Sequence, residues 1–202
     1  MNDIGRVITE IRMEGTSVLQ KPDEFMLIGR GRSAVVFKIP GEQKVLKVFY
    51  PDFVHLARLE ASIYQELSNN DYYPSFYEGG EGYVVLEYLE GLTFYECLIQ
   101  GIVITEEMIE KVDQALNYAR MKGLNPSDTH LQNVMLLSNG GVRVIDVVRF
   151  RQTRICTHWE DLKVAYDHFY STRFFPKKYP VWFIEMIIRL YRKGLIRLKK
   201  RK

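Results

Sequence analysis

The stretch from Asn133 to Asp146 constrains the chain more than any other. It reads Asn-Val-Met-Leu-Leu, then Ser-Asn-Gly-Gly, then Val-Arg-Val-Ile-Asp, two short apolar runs on either side of an Asn139-Gly140 turn signal. That pattern predicts a β-hairpin. Both of its open ends are polar. Residues equidistant from a hairpin turn face one another at about 4.5–5.5 Å between Cα atoms, so the spacing predicts that the Asn133 amide and the Asp146 carboxylate meet there. Oxygen donors of this kind suit Mg²⁺. Asp128 stands five residues before Asn133, on a polar loop of residues 125–132, so a second carboxylate reaches the same end of the hairpin. Alone, Asp128 reads as a turn former or helix cap. Its spacing to the other two makes it a site candidate.

The rest of the chain is read from period and punctuation. Residues 25–49 predict three strands in a small antiparallel sheet, with a turn at Pro40-Gly41. Phe53, Leu56, Ile63, Tyr64 and Leu67 then fall at helical spacing on one face. A buried strand follows at 82–89, and helices are expected at 93–100, 105–122, 159–170 and 181 to about 193. Thr105, with Glu106 and Glu107 behind it, marks a helix start, and Gly123 marks a stop. Strands thus dominate the first 89 residues and helices the remainder, an α+β arrangement.

Lys47 lies in Val45-Leu46-Lys47-Val48-Phe49, an otherwise apolar strand in which an unpaired ammonium would be costly. Glu60 sits in the apolar stripe of the following helix and is the expected partner, with Glu66 in reserve.

These residues together resemble the protein-kinase-like superfamily, whose catalytic loop has the form D-x-x-x-x-N followed by a short hairpin to a metal-binding Asp. The resemblance implies a bilobal protein-kinase-like fold: an N-terminal antiparallel β-sheet lobe with one helix, about 1–89, and a reduced, mainly helical C-terminal lobe, about 90–188. A basic tail of about 189–202 would follow. It further implies ATP and Mg²⁺ as cofactors, with Asp128 deprotonating the acceptor hydroxyl and Asn133 and Asp146 holding the metal. Lys47, oriented by Glu60, would contact the α- and β-phosphates. Gly29, Gly31, Ser33 and Val36 belong to a stretch, Gly29-Arg30-Gly31-Arg32-Ser33-Ala34-Val35-Val36, that resembles the glycine-rich phosphate loop, with Ala34 in the third glycine position. The strand running into Glu90-Gly91 resembles the inter-lobe hinge, so the backbone of Glu87 and Leu89 would contact the base and Leu86 would line its pocket. The resemblance extends over about residues 25–161.

Several positions depart from the superfamily pattern. Pro126 and Ser127 replace the usual His-Arg, and Val147-Val148 replaces Phe-Gly after Asp146. His130 stands where a lysine is common, either donating to the γ-phosphate or holding the loop together. No Ala-Pro-Glu segment follows, so no activation-loop switch is expected. Asp161 resembles the buried helix carboxylate that braces the catalytic loop. These features are similar to the compact Rio/Bud32-type kinases and to bacterial serine/threonine kinase-like proteins.

Charge and cysteine content narrow the function classes. The net charge of the 202 residues is +3, yet residues 189–202 hold eight basic side chains and no acidic one. The remainder carries 20 basic against 25 acidic residues, which excludes a surface that grips nucleic acid throughout. The tail alone offers contact to an acidic partner, nucleic acid or an anionic membrane surface. Cys97 and Cys156 have neither disulfide nor zinc spacing, and no window approaches the ~18 apolar residues of a transmembrane segment. The expectation is a cytoplasmic serine/threonine protein kinase acting on a hydroxyl-bearing acceptor, itself a protein. A small-molecule kinase, or a catalytically weak nucleotide-binding module acting through the tail, is the alternative.

Overall fold

Short apolar runs broken by turn residues give the first half of the chain its strands. Helix α1 (Ile4–Glu10) and a ribbon of β1 (Arg12–Glu14) and β2 (Ser17–Gln20) precede β3 (Met26–Arg30), β4 (Ala34–Lys38) and β5 (Lys44–Phe49). A 3-10 turn at Pro51–Phe53 leads into α2 (His55–Glu66), β6 (Phe76–Gly80) and β7 (Tyr83–Glu87). β3 to β7 make one antiparallel sheet in the order β3-β4-β5-β7-β6. The central strand β5 is buried from Val45 to Phe49, which is why it reads as a continuous apolar run rather than an alternating one. The computed structural model describes residues 4–172 and 174–196, and the chain divides into two compact units, Met1–Leu89 and Glu90–Lys202.

In the first unit, Phe25, Val35, Phe37, Ile39, Leu46, Val48, Tyr50 and Val85 form the core on one side of the sheet. Ile4, Val7, Ile8 and Ile11, at helical spacing in a charged N-terminal stretch, pack against it. β6 is absent from the sequence expectation because Glu78-Gly79-Gly80 has little strand propensity. Close packing requires those glycines: a Cβ on Gly80 would come within 2.3 Å of the Tyr83 ring.

In the second unit, β8 (Gly91–Thr93), α3 (Phe94–Gln100), α4 (Glu106–Met121), β9 (Val134–Leu137), β10 (Val142–Val144), α5 (His158–Ala165) and α6 (Val181–Arg192) follow in order. The strands form an antiparallel sheet ordered β10-β9-β8. Thr93 and Glu96 make a reciprocal capping box on α3, and Thr105 caps α4 by accepting from the Met108 amide. The helix expected over 159–170 instead stops at Ala165 and widens into a π-helical turn, Tyr166–Tyr170. At its end Tyr170 is buried and its hydroxyl accepts from the Ile104 amide at 3.1 Å. The fold is therefore α+β, with antiparallel sheets and six α-helices among the described residues. Of the basic tail, Arg189 and Arg192 lie in the last turn of α6, and 197–202 fall outside the described residues. No helix among the described residues is long and apolar enough to cross a membrane.

Gly91 fixes β8 on the hairpin. A Cβ there would sit 2.2 Å from the Leu136 carbonyl oxygen, a backbone atom with nowhere to move. Gly91→Ala is expected to cost about 1–3 kcal/mol through forced overpacking. Urea unfolding should show a lower midpoint at unchanged slope, and an unchanged midpoint would refute the steric account.

Candidate active site

Directly opposed residues of an antiparallel sheet share a face. The register aligns Gly29 with Val36, Val36 with Lys47 and Lys47 with Val84, so one cross-sheet row carries three of the expected site residues. In the adjoining row Val45 lies opposite Leu86. Lys47 is 8% exposed and Glu60 is completely buried. The lysine Nζ donates to Glu60 Oε1 at 2.8 Å and lies equally close to Oε2. Glu66, at the end of α2, is not the partner. The ammonium also stands 5.3 Å from the Phe49 ring centroid. Beyond Gly29, a three-residue loop carrying Gly31 and Ser33 links β3 to β4; it is closed by Gly31 N–H donating to the Ala34 carbonyl at 2.8 Å. Gly29 and Gly31 have no positive φ, and a Cβ on either would meet only ordinary van der Waals contacts. The fold itself does not require glycine at either position. At the end of the sheet, the Glu87 amide donates to the Ser75 carbonyl, and the Glu87 carboxylate accepts from the Ser75 amide and hydroxyl.

The second unit gathers the remaining candidates. Leu124 and Pro126 to Thr129 are buried, an unusual state for a polar loop, and its backbone has to be satisfied locally. Asn133 Nδ2 donates to the Asp128 carbonyl at 3.0 Å, and the Asn133 amide donates to the His130 carbonyl at 2.8 Å. These bonds fold the six residues from Asp128 to Asn133 into a closed turn. His130 Nδ1 accepts from the Gln132 amide at 3.3 Å, which leaves the proton of a neutral ring on Nε2, 4.0 Å from Asp128 Oδ1. The ring therefore takes part in holding the loop.

The hairpin register corrects the predicted pairing. Val134 opposes Val144, and the Ile145 amide donates to the Asn133 carbonyl, so Asn133 faces Ile145 and Asp146 lies one residue beyond. The reason is the turn. Leu137 N–H donates to the Gly141 carbonyl around a three-residue loop, Ser138-Asn139-Gly140, with Gly140 in the left-handed region. Asp146 then turns the chain with φ +58°, and Asp128 has φ +61°.

Three contacts of Asp128, and a fourth tie to its loop, are absent from the sequence expectation. Arg149 Nε lies 3.2 Å from Oδ2, His158 Nδ1 lies 3.5 Å from Oδ1, and the Asp128 amide donates to Cys156 Sγ at 3.3 Å. Asn125 provides the fourth tie, through its amide to the Phe150 carbonyl and its side chain to the carbonyls of Gln152 and Arg154. The only sequence signal for these contacts is the cluster of arginines after Asp146. Asp161 does not brace the loop. Its carboxylate accepts from the Thr157 and Tyr191 hydroxyls at 2.8 and 2.5 Å, tying the start of α5 to α6. Burial, then that bond, pushes the Tyr191 hydroxyl up to about 12. Burial likewise pushes the Cys97 thiol up.

No family model matches the chain. It is 49% identical over 178 residues to the "Putative serine/threonine-protein kinase YrzF" of Bacillus subtilis (strain 168), an alignment covering 87% of this chain and 83% of that protein. It is also 30% identical over 141 residues to a "Probable serine/threonine-protein kinase" of Streptomyces coelicolor. That match covers 59% of this chain and 21% of the other, so the aligned region is about a fifth of the Streptomyces protein.

Two measurements probe this geometry. Lys47→Ala removes the ammonium from a carboxylate with no exposure to water, at an expected cost of about 3–5 kcal/mol, whereas the double variant Lys47→Met, Glu60→Leu should recover most of it. A loss below about 1 kcal/mol on denaturant unfolding would contradict the pairing. Tyr191 tests the second tie. Its folded pKa lies above the unfolded value of about 10, so the folded state binds more protons between the two. Its stabilising contribution is complete below pH ~10 and disappears as the pH rises toward 12. Tyr191→Phe should flatten that part of the stability profile, and an unaltered slope would refute the assignment.

Proposed function

This chain belongs to the serine/threonine-protein-kinase-like family, and from that premise we propose that it transfers the γ-phosphoryl group of ATP to a serine or threonine hydroxyl of a protein acceptor. The observation that carries the reading is the pair of aspartates, Asp128 and Asp146, held in left-handed backbone before and after Asn133. Such conformations cost energy in an L-residue and persist where surrounding structure enforces them, often at functional sites.

The donor set fits Mg²⁺. Asn133 Nδ2 is committed to the Asp128 carbonyl, which leaves Oδ1 as the amide's free end, and Asp146 is a half-buried carboxylate one residue past the hairpin. No cluster of three or more His, Cys, Asp or Glu side chains able to hold a metal occurs among the described residues. One carboxylate and one amide oxygen suit an ion completed by phosphate oxygens and water. Bound there, Mg²⁺ would neutralise charge on the phosphates. The chain's own groups do the rest. Lys47, oriented by Glu60, contacts the α- and β-phosphates, and Gly29 and Gly31 admit phosphate oxygens to the backbone without a Cβ in the way. The Leu89 amide contacts the nucleobase. Because the Glu87 amide already serves Ser75, only the carbonyl of that residue remains as an expected contact.

Asp128 accepts the proton of the acceptor hydroxyl as the oxygen bonds to the γ-phosphorus, and ADP departs with the bridging oxygen. Arg149 lies against Oδ2, and in this reading the acceptor hydroxyl approaches the carboxylate beside the His158 and His130 rings, which stand 3.5 and 4.0 Å from Oδ1. The segment between Asp146 and α5 is short and hydrogen-bonded in place, which favours a constitutively arranged kinase of the compact Rio/Bud32 kind over one switched by an activation loop. The two lobes of such a kinase correspond in this reading to residues 1–89 and 90–188, and its free thiols suit the cytoplasm.

Asp128→Asn should reduce label transfer from γ-labelled ATP by about 10²–10⁴-fold, with stabilisation by Mg-ATP in thermal unfolding retained. Full turnover by this variant would remove Asp128 from the mechanism. Absence of any Mg-ATP stabilisation in the unmodified protein would remove the nucleotide.

A further inference from the structure

The segment from Val147 to Thr157 carries three arginines, Arg149, Arg151 and Arg154, and no acidic residue, in a chain whose residues before 189 are acidic on balance. All three are exposed. Val147, Val148 and Phe150, interleaved with them, are buried at 7% exposure or less and anchor the segment. Asn125 ties it by three hydrogen bonds, to the carbonyls of Phe150, Gln152 and Arg154 at 2.7, 2.8 and 3.1 Å. Cys156 Sγ, accepting from the Asp128 amide, and Arg149, paired with Asp128 Oδ2, fasten it to the residue proposed as base. The result is a set of three exposed arginines on a hydrogen-bonded segment, one of them paired with the Asp128 carboxylate.

Resting on the kinase reading of Asp128, we propose that Arg151 and Arg154 select the acceptor, and that it is an acidic peptide segment with carboxylates flanking the hydroxyl. A guanidinium pairs with carboxylates through two parallel hydrogen bonds, and its charge survives at any physiological pH. A fixed backbone lowers the ordering cost of binding. A polypeptide fits better than a nucleic acid because the segment's aromatic residue, Phe150, is buried and offers no face for base stacking. Arg149, engaged with Asp128, belongs to the reaction centre and is kept apart from this role.

The experiment compares labelled serine peptides that differ only in flanking glutamates against glutamines. Binding to the full chain is followed by fluorescence anisotropy at low and high salt, and label transfer from γ-labelled ATP is measured in parallel. The glutamate peptide is expected to bind about tenfold more tightly, with the preference shrinking in high salt. Arg151→Ala, Arg154→Ala should bind both peptides alike while phosphorylating the glutamine peptide at the unmodified rate. Arg151→Lys, Arg154→Lys should keep part of the preference. Equal binding of the two peptides by the unmodified protein overturns the proposal, as does a preference that survives the double alanine variant. Tighter binding of a single-stranded oligonucleotide of matched charge also overturns it. A glutamate preference lost with the arginines, but without label transfer to either peptide, supports the acidic docking surface and refutes the kinase reading instead.

Discussion

Burying a polar loop is the constraint on which the second unit depends. Ser127, Asp128, Thr129 and Asn133 are all less than a tenth exposed, so their backbone groups need partners within the protein. Asn133 supplies one from its side chain, and the segment after Asp146 supplies others through Cys156 Sγ and the carbonyls that receive Asn125. Position and chemistry are thereby coupled: the contacts that satisfy the loop also fix Asp128 in a left-handed conformation and set Arg149 against its carboxylate. The satisfaction is incomplete. The hydroxyls of Ser127 and Thr129, on either side of Asp128, are buried without a hydrogen-bond partner. A loop selected for stability alone would not keep two such hydroxyls, each of which costs free energy when desolvated and unpaired.

The Lys47–Glu60 pair makes the same argument in the first unit. Charges withdrawn from water regain through mutual attraction only part of what desolvation costs, and well-packed apolar replacements are often as stable or more so. The central strand of a sheet is a poor place for an ammonium on stability grounds. What the pair provides is direction: a charge anchored by a buried carboxylate, in a row with Gly29 and Val36. The two glycines at 29 and 31 add to this, because neither backbone conformation nor crowding within the protein requires them.

Much of this was legible in the sequence, for identifiable reasons. A lysine inside an apolar strand and a glutamate inside an apolar helical stripe each violate the local pattern, and two such violations are most simply resolved together. The hairpin was legible from its apolar runs and Asn139-Gly140, but its register was not, since a two-residue and a three-residue loop share that signal and differ by one residue in pairing. β6 was hidden because its glycines serve close packing rather than strand propensity. Asp161 has the same neighbours in sequence whichever partner it finds, and only the packing of α6 shows that the partner is Tyr191. The contacts of Cys156, His158 and Arg149 to Asp128 span 20 residues or more and carry no periodic signature.

The arginine paired with Asp128 shows how the departures from the usual kinase pattern compensate one another. With Ser127 where the superfamily customarily carries an arginine before this aspartate, the loop's own sequence supplies no arginine or lysine. Arg149 brings one from the other side of the hairpin, and its Nε contacts a single carboxylate oxygen. His130, which takes the position of a lysine, bends back to accept from Gln132 and so gives up part of its reach. Positive charge near the carboxylate has thus shifted from the loop to the segment after Asp146. That segment is held by hydrogen bonds already formed in the protein alone, and if Asp128 is the base proposed above, a carboxylate whose surroundings are complete before any acceptor binds has no need of a separate ordering step.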